Sequence, residues 1–325
     1  MTDEIILEIL QKTDNFVSGE WISETMHISR TAVWKAVNKL KSKGYTIESV
    51  PNRGYRLISP ADILSGNELK PFYNTKMIGR QIVYSEECLS TNDETKTGNL
   101  RGDEEGTVYI TDMQTGGRGR MGRDWHDEYK KGIAMSFLLK PSISPAMLMP
   151  VSLIAGLAIC KAVVAQTGLQ CGLKWPNDVI ANGRKIAGVL IEMATSGETV
   201  ESIIVGIGVN CNNTIFPDDI RAKATSIFLE TGTAVSRKEL VCRILEHFEN
   251  DYFKWLDGQL AFLDEYKALC INLDKEVVIH QRSEVITGIA EDITPKGELK
   301  ILLPGGEVRL ILSGEVSLRG ISGYT

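Results

Sequence analysis

The residues whose types and spacing suit chemistry fall in four polar clusters: STND at 90–93, TGGRGRMGRDW at 115–125, KWPND at 174–178 with GRKIAG at 183–188, and GIGVNCN at 206–212. The second packs four glycines and three arginines into eleven residues. Guanidiniums this close repel one another unless anions sit among them, and glycines let backbone N–H groups approach a ligand closely. The expected ligand bears phosphate or carboxylate; a solvated, mobile basic loop is the alternative that the stretch alone leaves open. Glycines 117, 119 and 122 also spell G-x-G-x-x-G, the dinucleotide pattern that turns a strand into a helix. The context speaks against that reading. RDWHDEYKKG does not read as a helix and IAMSFLLK (133–140) reads as a strand, so the loop is expected to link two strands.

Something must hold these clusters in place. A chain of 325 residues, 43% hydrophobic, is long enough for two or three domains. Six scattered cysteines and four widely spaced histidines show no C-x-x-C or His-paired spacing, which argues against a structural zinc site and a Cys-His nucleophile. The acidic start MTDEIILEIL carries no secretory pattern. The longest apolar run, 146–160, contains Pro150 and Ser152 and stops at Lys161, short of a membrane span. A cytoplasmic protein without a membrane partner is expected.

The net charge of −6 hides an asymmetry, because between Arg30 and Arg56 seven basic side chains face the single acid Glu48. That local excess points to a polyanion. The segment also has a readable fold. IILEIL starts a short amphipathic helix, Ser18 is placed to cap a second, and Ser29 a third whose apolar face is Ala32, Val33, Ala36, Val37 and Leu40. After Gly44, YTIESV, a PNRG turn and YRLI read as a β-hairpin with Arg53 at its tip. Three helices and a hairpin make a winged helix-turn-helix whose third helix lies in a major groove. On that reading Arg30, Thr31, Lys35, Asn38 and Lys39 face DNA, Arg53 reaches phosphate or the minor groove, and Trp34 could do either job. A helical protein-interaction domain with a solvated basic face is the alternative.

SPADILSGN (59–67) reads as a linker, beyond which strand-like and helix-like runs alternate as an α/β layer with a mostly antiparallel sheet. From Asp274 onward, short alternating strands suggest a small SH3-like β-barrel. The four clusters, the N-terminal module and the terminal GEVSLRG (314–320) together resemble the bifunctional biotin protein ligase and biotin operon repressor family. The resemblance covers nearly the whole chain, and GRGRxGR paired with KWPND is its most specific part.

The resemblance implies an α+β multidomain chain: a winged helix-turn-helix (1–58), a class II synthetase-like α/β catalytic domain (67–272) and an SH3-like C-terminal domain (273–325). It implies that biotin and ATP, with Mg²⁺, form biotinyl-5'-adenylate, and that the biotinyl group passes to a lysine of a biotin carboxyl carrier protein, the biotinyl domain of acetyl-CoA carboxylase. By the same resemblance Ser90, Thr91, Asn92, Gln114, Arg118, Gly119, Arg120 and Lys185 bind biotin. Arg120, Arg123, Trp125 (stacking on adenine), Lys174, Asn177, Asn210, Glu315 and Arg319 bind the adenylate, with Asn210 a candidate toward the metal. Arg118, Lys185 and Asp178 are the catalytic set, Asp178 orienting or deprotonating the acceptor lysine. Operator DNA and a homodimer formed with biotinyl-adenylate complete the implied partners.

The chemistry agrees with the residues. Attack of a carboxylate on the α-phosphate needs cations at both anions, which Arg118, Arg120, Arg123 and Lys185 supply. The mixed anhydride is labile to water, so a loop with freedom at Gly116, Gly117 and Gly119 is a suitable lid. Biotin's neutral ureido ring calls for hydrogen-bonding groups such as Ser90, Thr91, Asn92 and Gln114. Two features sit less easily: TMHISR stands where a glycine often precedes the third helix, and Met121 occupies a variable position. A lipoate ligase, expected to carry a Ser- and Gly-rich loop instead, and a non-enzymatic winged-helix sensor are the competing readings.

Overall fold

The computed structural model describes residues 2–42, 44–59, 62–197, 199–281, 284–312 and 314–318. The chain divides into two compact units, Met1–Ile63 and Leu64–Thr325.

The first unit has helices α1 (Thr2–Gln11), α2 (Gly19–Thr25) and α3 (Arg30–Ser42), then a hairpin of β1 (Thr46–Val50) and β2 (Gly54–Ser59). Ser18 Oγ accepts from Glu20 N at 3.2 Å and Ser29 Oγ from Ala32 N at 3.1 Å, so both hydroxyls satisfy donors that a helix start leaves open. Ile6, Leu7, Leu10, Ile22, Val33, Ala36, Val37 and Leu40 form the core. Ala32 is only half-buried, so the apolar stripe of α3 is narrower than its sequence suggests. His27 takes the left-handed conformation (φ 52°) in the turn between α2 and α3. The turn therefore closes without glycine, at a cost of roughly 1–2 kcal/mol. In the hairpin Gly54 (φ 105°) is required twice over, because a Cβ there would lie 2.0 Å from Val17 O, where the chain entering α2 pairs with Tyr55.

The second unit is built on a seven-stranded sheet in the order β3-β4-β5-β9-β8-β7-β6. Its strands are β3 (Ile82–Ser85), β4 (Val108–Thr111), β5 (Ile133–Leu139), β6 (Gly172–Lys174), β7 (Asp178–Ala181), β8 (Arg184–Ser196) and β9 (Thr199–Val209). The β3–β4 pair is parallel, the others antiparallel. Around it lie α4 (Gly66–Leu69), α5 (Thr91–Arg101), α6 (Met149–Thr167), α7 (Ile227–Thr231), α8 (Arg237–Leu256) and α9 (Ala261–Leu269).

Strand alternation gives the sheet two unlike faces. Met135 and Phe137 of β5 and Val205, Ile207 and Val209 of β9 join α6 and α8 in the apolar core, where the Phe137 and Phe248 rings meet edge-on at 4.7 Å. The other face is lined with small residues, and α5 covers it with Thr91, Asn92, Thr95 and Gly98. The apolar run expected to end at Lys161 continues as helix to Thr167. Pro145–Thr167 has the length and apolarity of a membrane span, and most of it is buried in this core.

Five further strands form an antiparallel sheet in the order β13-β12-β11-β10-β14: β10 (Glu276–His280), β11 (Val285–Ile293), β12 (Leu299–Leu302), β13 (Val308–Ile311) and β14 (Glu315–Leu318). Fully buried Trp175 joins it to the larger sheet: its backbone N donates to Asn272 Oδ1 at 2.8 Å and its Nε1 to Gly297 O at 3.0 Å.

Candidate active site

The site is a hollow in the small-residue face of the larger sheet. Gly208 of β9 pairs with Ala134 of β5 and Gly188 of β8; Gly206 pairs with Ser136 and Leu190. Each glycine leaves space that a polar side chain from elsewhere fills. A Cβ on Gly206 would meet Asn92 Oδ1 at 2.2 Å, one on Gly208 the Trp125 indole at 2.5 Å, and one on Gly188 Lys185 Nζ at 2.7 Å. The glycines thus form the floor on which three expected site residues rest.

Two adjoining cavities open here. Ser90, Thr91, Asn92, Gln114, Arg118, Gly119, Arg120 and Lys185, the whole set expected for biotin, line the first. Arg120, Arg123, Trp125, Lys174, Asn177 and Asn210, expected for the adenylate, line the second, a space of about 570 Å³, together with Asp178. Gly119, Arg120, Trp125, Asn177 and Lys185 belong to both and form the shared wall. Gly314 and Val316 reach the second cavity on either side of Glu315, whose backbone pairs with His280 in the sheet; Arg319 lies outside the described residues. Sequence reasoning missed Phe216, Asp219, Ile220 and Lys223, which form the far wall. This segment is fastened by backbone hydrogen bonds from Lys185 N to Lys223 O (2.8 Å) and from Thr225 N to Lys185 O (2.9 Å).

The arginine loop links β4 to the antiparallel β5, so the dinucleotide reading of its glycines does not hold. Its ends are gathered at a buried ion pair: Arg237 of α8 meets Asp112 at 2.9 Å and donates to Gly132 O at 3.1 Å. The loop doubles back through Gly119 N to Arg123 O (2.7 Å) and Trp125 N to Gly117 O (2.9 Å). Positive φ falls at Met121 (58°) and Gly122 (73°), at the tip. The expectation of backbone freedom at Gly116, Gly117 and Gly119 is corrected for the first two. A Cβ on Gly116 would meet Leu89 at 2.6 Å and one on Gly117 would meet Trp125 O at 2.8 Å, so these glycines serve close packing.

The chain supplies partners for its own cations. Arg118 clasps Asp93 through two hydrogen bonds of 2.8 and 2.6 Å, holding that carboxyl below its usual range. Arg120 donates to Asn177 Oδ1 at 2.9 Å, while Lys185 lies 2.6 Å from the Asp178 carboxylate and 5.6 Å from the centre of the Trp125 ring. Thr91 N donates to Gln114 Oε1 at 2.9 Å, and Gln114 Nε2 to Asp127 Oδ2 at 3.0 Å. Burial pushes the Asp127 carboxyl up. Ser90 is buried at the start of α5, and its hydroxyl does not cap that helix. Among the described residues no group of three or more His, Cys, Asp or Glu gathers as a metal cage.

In the first unit Thr31, Trp34 and Lys35 form an exposed stripe along α3, with Asn38 half-buried at its end. Arg30 pairs with Glu20 and Lys39 with Asp3 (3.1 Å), while Arg53 lies over the Phe16 ring at 4.3 Å.

Comparison with known proteins gives this geometry a family. Residues 87–210 match the Biotin/lipoate A/B protein ligase family, 273–319 the Biotin protein ligase C terminal domain and 4–56 an HTH domain. The Bifunctional ligase/repressor BirA of Bacillus spizizenii is 37% identical over 244 residues, spanning 74% of this chain and 75% of the relative. The chain belongs to the bifunctional biotin protein ligase family. Escherichia coli BirA is 26% identical over 313 residues, 94% of this chain and 93% of its own. Among solved structures, the biotin protein ligase from Aquifex aeolicus in complex with biotin and ATP superposes with a TM-score of 0.65 at 32% identity, over 74% of this chain and 99% of that one. Membership in the biotin ligase branch sets the lipoate reading aside.

Proposed function

We propose that the chain is an ATP-dependent biotin protein ligase that also represses transcription through its N-terminal unit. It joins biotin to ATP as biotinyl-5'-adenylate, releasing pyrophosphate, and passes the biotinyl group to the amine of a carrier lysine, forming an amide with AMP as the leaving group. The observation that carries this reading is the shared wall between the two cavities, where Arg120 and Lys185 stand at the junction of a small polar pocket and a larger one.

Biotin takes the first cavity, its ureido ring against Ser90, Thr91, Asn92 and Gln114, and the nucleotide takes the second. Their reacting anions meet at the wall, where Arg118, Arg120 and Lys185 offset the charge that builds at phosphorus. Lys185 then exchanges its Asp178 partner for the substrates, which frees the Asp178 carboxylate to orient or deprotonate the acceptor lysine. Trp125 stacks on adenine from the wall, and Arg123, Lys174 and Asn177 hold the adenylate. Glu315 and Arg319 approach from the C-terminal strands. Asn210 lines the second cavity and donates its Nδ2 to Thr225 O at 3.1 Å, so its Oδ1 would be the protein atom offered to Mg²⁺, which when bound would neutralise charge on the phosphates.

We take 1–58 as a winged-helix DNA-binding domain, 67–272 as a class II synthetase-like catalytic domain and 273–325 as an SH3-like barrel. Thr31, Lys35 and Asn38 face operator DNA in this reading; Arg30, Lys39 and Arg53 exchange weak surface contacts for phosphates. The implied setting is the cytoplasm. The implied partners are a biotin carboxyl carrier protein, the biotinyl domain of acetyl-CoA carboxylase, and a second copy of the chain when biotinyl-adenylate is bound.

The test is transfer. With biotin, ATP and Mg²⁺, an unbiotinylated carrier domain gains one biotin by mass, and the carrier with its acceptor lysine changed to arginine gains none. No gain on the unaltered carrier would reject the ligase reading.

A further inference from the structure

One hydrogen-bonded relay crosses the first cavity, and carboxylates stand at both of its ends. Asp127 accepts from Gln114 Nε2 (3.0 Å) and Gln114 N (3.2 Å) through Oδ2, and from Trp125 Nε1 (3.0 Å) through Oδ1. Gln114 N and Trp125 Nε1 can only donate, so both Asp127 oxygens accept, and Thr91 N can only donate too, so the Gln114 amide turns its N–H₂ toward Asp127 and its oxygen toward Thr91. Thr91 N then donates to Gln114 Oε1 at 2.9 Å. Thr91 Oγ1 lies 2.7 Å from Ser136 Oγ, and Ser136 Oγ donates to Asn92 Oδ1 at 2.6 Å. At the far end Asn92 Nδ2 donates to Glu192 Oε2 at 2.6 Å, and Lys96 holds the other carboxylate oxygen at 2.7 Å.

Neither Asp127 nor Glu192 lines either of these two cavities, whereas Thr91, Asn92 and Gln114 between them line the first. Thr91, Asn92 and Ser136 are buried, and reversing Gln114 would set its N–H₂ against Thr91 N, while reversing Asn92 would set its oxygen against the Glu192 carboxylate. The two end carboxylates therefore determine which faces of the two amides the cavity presents.

Resting on the biotin reading of this cavity, we propose that Asp127 and Glu192 are positioning residues that fix the amide faces of Gln114 and Asn92, and so select the neutral cyclic urea of biotin over rings of other hydrogen-bonding polarity. Asp127 has a second task, because Trp125 stands in the wall shared with the nucleotide cavity. Glu192 acts on the biotin side alone.

The experiment measures, by calorimetry on the full chain, the Kd of biotin, of its cyclic carbamate analogue (neutral, with a ring oxygen in place of one N–H) and of ATP for wild type, Glu192→Gln and Asp127→Asn, with thermal midpoints alongside. Each substitution replaces an acceptor by a group that can donate, so the amides lose their fixed orientation. Biotin binding weakens on the order of ten-fold. The carbamate analogue weakens less, so the preference for biotin shrinks. Glu192→Gln leaves ATP binding unchanged, whereas Asp127→Asn weakens it. Should Asp127→Asn fail to fold, the Glu192→Gln preference ratio alone decides. An unchanged biotin Kd in folded variants, or equal weakening of both rings, overturns the proposal. Failure of the wild-type chain to bind biotin overturns the reading on which it rests, and the proposal with it.

Discussion

At the residue scale, Arg118, Arg120 and Lys185 already have partners within the chain, which substrate anions are expected to displace. Lys185 is held by Asp178 at 2.6 Å and rests above Gly188, so it is fixed before substrate arrives. Lys185→Ala is expected to slow adenylate formation about 10²- to 10³-fold, the usual loss for one preorganised charge-stabilising group, with the thermal midpoint nearly unchanged. A rate within two-fold of wild type would remove Lys185 from the chemistry. The Arg118–Asp93 clasp has a definite pH behaviour. Hydrogen bonds from Arg118 lower the Asp93 carboxyl in the folded chain, so the clasp contributes fully above the ordinary carboxylate value of about 3.9 and is lost as pH falls through the depressed one. Near neutral pH the clasp is therefore expected to open to a competing anion and not to acid. Asp93→Asn should therefore raise the protease sensitivity of the arginine loop at pH 7 without ligand, and biotin with ATP should restore protection. Equal cleavage of wild type and variant would show that the clasp does not hold the loop.

At the element scale the site depends on the pairing of β5, β9 and β8, which puts Gly188, Gly206 and Gly208 on one face. Gly206→Ala would place a Cβ 2.2 Å from Asn92 Oδ1, an atom of a short, buried and hydrogen-bonded side chain that has little room to move. Gly188→Ala meets instead the flexible end of Lys185. The first is expected to lower the thermal midpoint and raise the KM for biotin. The second is expected to leave stability near wild type and to lower kcat through a displaced Lys185. The same midpoint and KM in both variants would contradict the pairing described. These elements also mark what the sequence reveals. The winged helix was legible because Ser18, Ser29, Gly44 and the 3.6-residue stripe of α3 are local signals. The four clusters were legible as motifs. Helix α5 was not, because TNDETKTGNLR packs against a small-residue sheet face through polar side chains and so has no apolar stripe. The glycine floor was hidden for a related reason: its role comes from strand register, although G-x-G inside a strand does signal close approach. The 216–224 wall carries only the turn signal of FPDD and is made by backbone pairing with Lys185.

At the scale of the whole molecule, two compact units with separate cores carry two chemistries. A chain beginning at Leu64 is expected to keep carrier biotinylation and lose operator binding in gel-shift assays, since the basic segment 30–56 lies in the first unit. Specific DNA binding by the shortened chain would place the recognition surface elsewhere. In the intact chain the adenylate is expected to act as co-repressor, tightening operator binding by the factor with which it favours the dimer. Unbiotinylated carrier should reverse the effect by consuming it. On the proposed reading both functions rest on one event at the wall shared by the two cavities. The most direct measurement is the exchange of labelled pyrophosphate into ATP, with and without biotin, in the absence of any carrier protein. The account predicts exchange that requires biotin and falls about 10²- to 10³-fold in Lys185→Ala. Exchange independent of biotin, or none in its presence, would contradict it.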